Sequence, residues 1–146
     1  MPYIDKTDLL TFIRLEVLDQ VTDGDDNLIT TASLIAESEA AAYVRQRYDT
    51  PVEFSRTGTA RSQLFVSIVC DITIYRLHGR VDPVQIPNWV VNRYNGNHDE
   101  SASWGGAIKT LMMVQQGAID IDLPKISPSQ NRPFEGGSNP VYSANF

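Results

Sequence analysis

The chain has 146 residues, 42% of them apolar, and its eighteen acidic and twelve basic side chains give a net charge of −6. A single domain of this length can bury roughly 70% of its unfolded surface in one core. No apolar run reaches the ~20 residues of a membrane span, and the acidic balance argues against a body that coats nucleic acid.

The start, "MPYIDKTDLL", has neither a basic n-region nor an apolar h-region, so no secretion signal is expected. A lone Cys70 forms no internal disulfide and suits a reducing compartment. A first helix is expected from about Lys6 to Leu18, capped by Asp5, with Asp8 in its first turn and Leu9, Leu10, Phe12, Ile13 and Val17 as its apolar face. "TDGDDN", residues 22–27, reads as a polar loop. The second helix is expected over about Thr31–Tyr48. Its acids, Glu37 and Glu39, precede Arg45 and Arg47, an order that suits the helix dipole.

"YVRQRYDTP", residues 43–51, holds two arginines and two tyrosines and could be a patch that grips nucleic acid. Arg45 and Arg47 are two apart and fall on different sides of a helix. Tyr48, four residues after Val44, can close the core, and Thr50 before Pro51 is pushed away from helical angles. The local reading is a helix end and a turn.

The segment "ARSQLFVSIVCDITIYRLHG" carries apolar stripes on most of its sides, as a central helix does. Its β-branched content would also suit a strand, but its length and its spacing of three and four favour a helix ending at Gly79. Pro83 and Pro87 cannot share one helix interior, so the next helix is expected to start near Pro87. "NGNHDES" reads as a loop, and a last helix is expected over about Trp104–Gln116, closed by Gly117. The fold expected is all-α, a compact bundle of about five helices over residues 1–121. From 122 to 146 the chain has four prolines, adjacent glycines and no period, a composition that builds no core of its own. Ile126, Phe134, Val141, Tyr142 and Phe146 punctuate it, and we read it as an extended arm that anchors on another chain through these side chains, an arm folded back on its own bundle being the alternative.

Candidate chemistry is thin. Asp23, Asp25 and Asn27 alternate as in a calcium loop, but Leu28 stands at the turn glycine and Leu34 at the bidentate acid. Ile108 precedes Lys109-Thr110 where a phosphate loop needs glycine. His78 and His98 have no ligand partner at metal spacing, and Cys70 lies on the apolar helix as a small buried hydrophobe. No constellation specifies a reaction, so neither an enzyme, a metal nor a cofactor is expected.

"YIDKTDLL", "RQRYDTP", "YRLHGR", "WVVNRY" and "LMMVQQGAIDIDLP", in that order, resemble the Mu-like phage neck family over about residues 3–123. The most specific element is Arg47, Tyr48 and Pro51, together with Gly117 and Ile119. The chain departs from the family's pattern in "NGNHDESASWGG", an interruption between the last two helices. The resemblance implies a head–tail adaptor: a virion protein, assembled in the host cytoplasm, whose copies form a dodecameric ring. By the same resemblance, portal protein is expected on one side and a further neck, stopper or tail-completion protein on the other. DNA passes through without specific binding, which an acidic wall favours. A small helical DNA-binding accessory protein of a phage is the alternative, and it predicts salt-dependent affinity for duplex DNA. An enzyme is the third class.

Overall fold

The computed structural model describes residues 2–96 and 105–126. Within them lie seven α-helices and no strand: α1 (Lys6–Leu10), α2 (Leu15–Thr22), α3 (Asp26–Val44), α4 (Thr50–Phe54), α5 (Gln63–Val81), α6 (Asn88–Asn95) and α7 (Ala107–Gln115), with a 3-10 turn at Gly58–Ala60. The all-α class is as expected; the larger helix count comes from one helix that divides and one that the sequence hides. None of the described helices is long and apolar enough to cross a membrane.

The expected first helix breaks between Leu10 and Leu15. A capping box between Asp5 and Asp8 starts α1, and Arg14 is extended, at φ −73° and ψ 146°. The break lets Leu9, Ile13 and Leu18 all reach the core. Arg93 of α6 accommodates it, donating to the carbonyl of Phe12 at 3.3 Å with its guanidinium 4.9 Å from the Phe12 ring centre.

α3 begins five residues earlier than expected. Asp23 (φ 54°) and Gly24 (φ 72°) turn the chain in the left-handed region, and the Asp25 carboxylate accepts from the N–H of Asn27. Only Asp23–Asp25 is therefore loop, and the aspartate read against calcium is an N-cap. The hydroxyls of Thr30 and Thr31 donate back to Asp26 and Asn27, so the polar first turns satisfy themselves while Ile29 packs inward.

α5 is the axis of the fold. The Ser62 hydroxyl caps it, and ten of its side chains are buried, from Phe65 to His78. α1, α2, α3, α6 and α7 all pack on it. Gly79 does not end α5, which runs to Val81 with Asp82 as its C-cap. A Cβ at Gly79 would stand 3.8 Å from Ile86, ordinary contact with the returning chain, and its φ lies outside the left-handed region. α6 starts after Pro87, as expected. Tyr75 and Tyr94 stack 3.9 Å apart, and the Tyr94 hydroxyl donates to Glu39, which also pairs with Arg76, so α3, α5 and α6 lock together.

α7 begins at Ala107; Trp104, the expected start, lies outside the described residues. A Cβ on Gly106 would come 2.6 Å from the carbonyls of Asn92 and Arg93, so the start of α7 presses on the end of α6 as only glycine allows.

Asp71 is an acid on the apolar axis, 14% exposed, with Arg93 Nη2 2.6 Å from its Oδ1 but off the line of a good hydrogen bond. Burial pushes its carboxyl up to about 6, against the opposing pull of Arg93. The folded chain thus holds this proton more tightly than the unfolded chain does. The stability contributed by protonated Asp71 is complete below about pH 4 and is lost as pH rises through about 6. Asp71→Asn removes that loss, and should gain about 1–3 kcal/mol relative to the parent between pH 4 and pH 7. Urea midpoints of both chains across that range check it; a constant difference contradicts it.

Candidate functional site

Three of the residues that carried the resemblance, Arg47, Tyr48 and Gly117, come together at one corner of the bundle. α3 ends at Val44, and the Tyr48 N–H still reaches the Val44 carbonyl at 3.0 Å, so the tyrosine ring turns into the core, 1% exposed. Its hydroxyl donates to the Asp120 carboxylate at 2.5 Å and accepts from the N–H of Ile121 at 3.3 Å. Arg47 donates to the carbonyl of Val114 at 2.9 Å, which also accepts from the N–H of Gly117 at 3.1 Å, so the arginine fastens the turn that closes α7. Gly117 ends the turn after α7 at φ +82°, and a Cβ there would stand 3.0 Å from Arg47 Nη1. Arg47 and Gly117 therefore belong to one contact, glycine supplying both the left-handed backbone and the space. Ile119 is half-buried against the core.

After this corner the chain runs back along the turn between α3 and α4. Tyr48 and Lys125 form an antiparallel bridge, the Asp49 N–H donates to Pro124 at 2.7 Å, and the Ile126 N–H donates to Arg47 at 3.3 Å. Lys125 pairs with Asp120 at 3.2 Å. The Tyr48 hydroxyl first, then Lys125, holds the Asp120 carboxyl below its ordinary value, while burial and that same acid raise the Tyr48 phenol. Residues 122–126, read from the sequence as the root of an arm that anchors on another chain, form a strap on their own bundle, the alternative arrangement. Ile126 thus packs within its own chain. Phe134, Val141, Tyr142 and Phe146, the other expected anchors, lie outside the described residues.

Pro51 does not lie in a simple turn. It follows Thr50 in the first turn of α4, capped by Asp49, whose carboxylate accepts from the N–H of Val52 at 3.3 Å. Proline fits there because an N–H in the first helical turn has no intrahelical partner. Beneath α4, Glu53 is fully buried. One of its oxygens accepts from the Tyr3 hydroxyl and from the N–H of Ser62 at 2.7 Å, and the other from Arg56 at 3.2 Å. The Ser62 hydroxyl donates to Asp122 of the strap. Arg61 donates to the Tyr3 carbonyl and grips both oxygens of Asp8, which it holds below the usual carboxylate range. Sequence reasoning passed over Glu53, Arg61, Asp120 and Asp122, since each sits in a stretch with no periodicity to mark it as inward-facing.

The opening between α3, α4 and the strap is a groove of about 650 Å³ with Leu34, Ala41, Pro51, Phe54 and Ile126 in its walls. Arg45 and Asp49 stand at it, and the buried carboxylate of Glu37 accepts from the N–H of Tyr3 at its base. Burial raises the Glu37 carboxyl. The tyrosine of this stretch is thus consumed internally, with Tyr48 in the core, while Arg47 bonds the end of α7 from an exposed position and Arg45 faces solvent.

Among the described residues no group of three His, Cys, Asp or Glu side chains could hold a metal ion. Cys70 is buried, which pushes its thiol far up, and His78 lies within the core with its Nδ1 2.9 Å from the Ile74 carbonyl. Lys109 is exposed on α7.

No curated protein and no solved structure matches the chain. The family model described as bacteriophage Mu, Gp36 matches residues 3–137, so the likeness extends past Leu123 into the segment beyond the strap. With Arg47, Tyr48 and Gly117 joined at one corner and that match spanning nearly the whole sequence, the chain belongs to the bacteriophage Mu Gp36 family.

Proposed function

We propose that this phage protein is a head–tail adaptor, a structural virion component whose copies form a ring between the portal protein and the rest of the neck. A stopper or tail-completion protein follows it, and DNA passes through the ring without specific binding. The observation that carries this reading is the strap. It fixes residues 120–126 on the bundle and so delivers the following twenty residues, with their four spaced apolar anchors, from one defined point on the surface. A fixed root with a long, sparsely anchored extension suits a clasp between subunits better than a site for small-molecule chemistry. Exposed Leu34 and Ile35 on α3, and Met112 and Met113 on α7, add apolar surface of the kind that subunit contacts cover. A closed ring needs two unlike faces that meet, and these helices offer distinct ones.

Cross-linking mass spectrometry on purified particles, through Lys6, Lys109 and Lys125, tests the reading. Links from Lys125, the outermost strap lysine, to portal protein or a further neck protein are expected. A chain absent from particles, or lysines linked only within it, would overturn the assignment and move duplex-DNA binding to the front.

A further inference from the structure

We propose that in the free subunit the groove between α3, α4 and the strap is the seat of the chain's own arm, with Phe134 as the side chain that fills it. Ile126, the last described residue, is itself a wall of that groove, so the residues after it set out from inside the site they would occupy. Phe134 is the first large apolar side chain to follow, eight positions on. Eight extended residues reach up to ~28 Å, whereas a five-residue helix such as α4 is only ~8 Å long, so the chain can turn back with length to spare.

The chemistry on the two sides matches. Leu34, Ala41, Pro51 and Phe54 make an apolar slot of a size that takes an aromatic ring. Arg132 and Glu135 flank Phe134, and Asp49 and Arg45 at the groove supply the opposite charges. Pro128 and Pro133 limit the freedom that the segment loses on docking. The family match ends at residue 137, so it takes in Phe134 and leaves out Val141, Tyr142 and Phe146. A tether this short holds its anchor at millimolar effective concentration, which favours the chain's own arm over a second copy's in dilute solution. The seat is a property of the single chain and does not rest on the adaptor reading; if that reading holds, ring closure becomes an exchange of arms between like grooves.

The test uses the full chain carrying Ser38→Cys and Gly136→Cys. Ser38 lines the groove and is exposed, Gly136 is two residues past Phe134, and buried Cys70 stays out of the reaction. Under mild oxidation most chains are expected to form an internal disulfide and to run as compact monomers on a non-reducing gel. Adding Phe134→Ala should cut that yield about tenfold. The pair Ser38→Cys with Ser143→Cys, past the anchor, should cross-link more slowly. Dilution-dependent dimers would place the arm on a second copy instead. That result, no cross-link at all, or a yield indifferent to Phe134→Ala overturns the proposal, and none of the three decides whether the chain is in the neck.

Discussion

Glu53→Ala is expected to lower stability by about 3–5 kcal/mol, the range for removing one partner from a buried, hydrogen-bonded charge. The cost follows from what is left behind. The Tyr3 hydroxyl and the Ser62 N–H both lose their acceptor in a dry site, and Arg56 loses its carboxylate. Glu53→Gln keeps a carbonyl oxygen for the first two donors and should cost only about 1–2 kcal/mol. Adding Tyr3→Phe to Glu53→Ala removes one orphaned donor, so the double variant should be more stable than the sum of the single effects implies. Urea denaturation at pH 7 reads all four. A Glu53→Ala chain within about 1 kcal/mol of the parent would mean that water reaches this junction.

Tyr48→Ala has the second large effect. It deletes a fully buried ring and unfastens the strap, at a cost of about 3–5 kcal/mol. Tyr48→Phe keeps the ring and leaves Asp120 with Lys125 alone, for about 1–2 kcal/mol. The two variants separate packing from fastening. Amide exchange at Ile121 and Ile126 should quicken in both, since the N–H of Ile121 bonds the lost hydroxyl and that of Ile126 bonds the Arg47 carbonyl next to it. A Tyr48→Phe chain in which only Ile121 responds would show that the backbone bonds hold the strap without the hydroxyl.

The two variants also mark the boundary of what periodicity can reveal. α5 was legible because its apolar residues recur every three to four positions for nineteen residues. Tyr48 was legible as core for the same reason, lying four residues after Val44. The break after α1 was not, because the apolar pattern continues through Phe12 and Ile13; what ends the helix is an extended Arg14 and an arginine arriving from α6. α4 was hidden by the rule that a residue before proline avoids helical angles, which Thr50 breaks as the first residue of the helix. Gly79 misled in the opposite sense, a glycine inside a helix at ordinary helical angles, where a Cβ would find only ordinary contact. At the corner where α3 meets the end of α7 the sequence showed Arg47, Tyr48, Pro51 and Gly117 as a set without showing that three of them meet. The strap was invisible, since two of its bonds are backbone to backbone and its side-chain bonds join residues far apart in sequence, neither of which leaves a trace in side-chain order. Glu53 and Asp71 went unread because an acid in a sequence is presumed solvated until a buried donor is found for it.

Arg47 and Tyr48 make their decisive bonds to residues 114–126, nearly half the chain away in sequence. On the ribosome the first arrives long before the second. A nascent chain can wind α3 and α5, yet the phenol of Tyr48 faces an open seam until Asp120 and Ile121 have been added and have cleared the exit tunnel. A chain broken off before Asp120 therefore presents an unsealed corner to the proteases of its host.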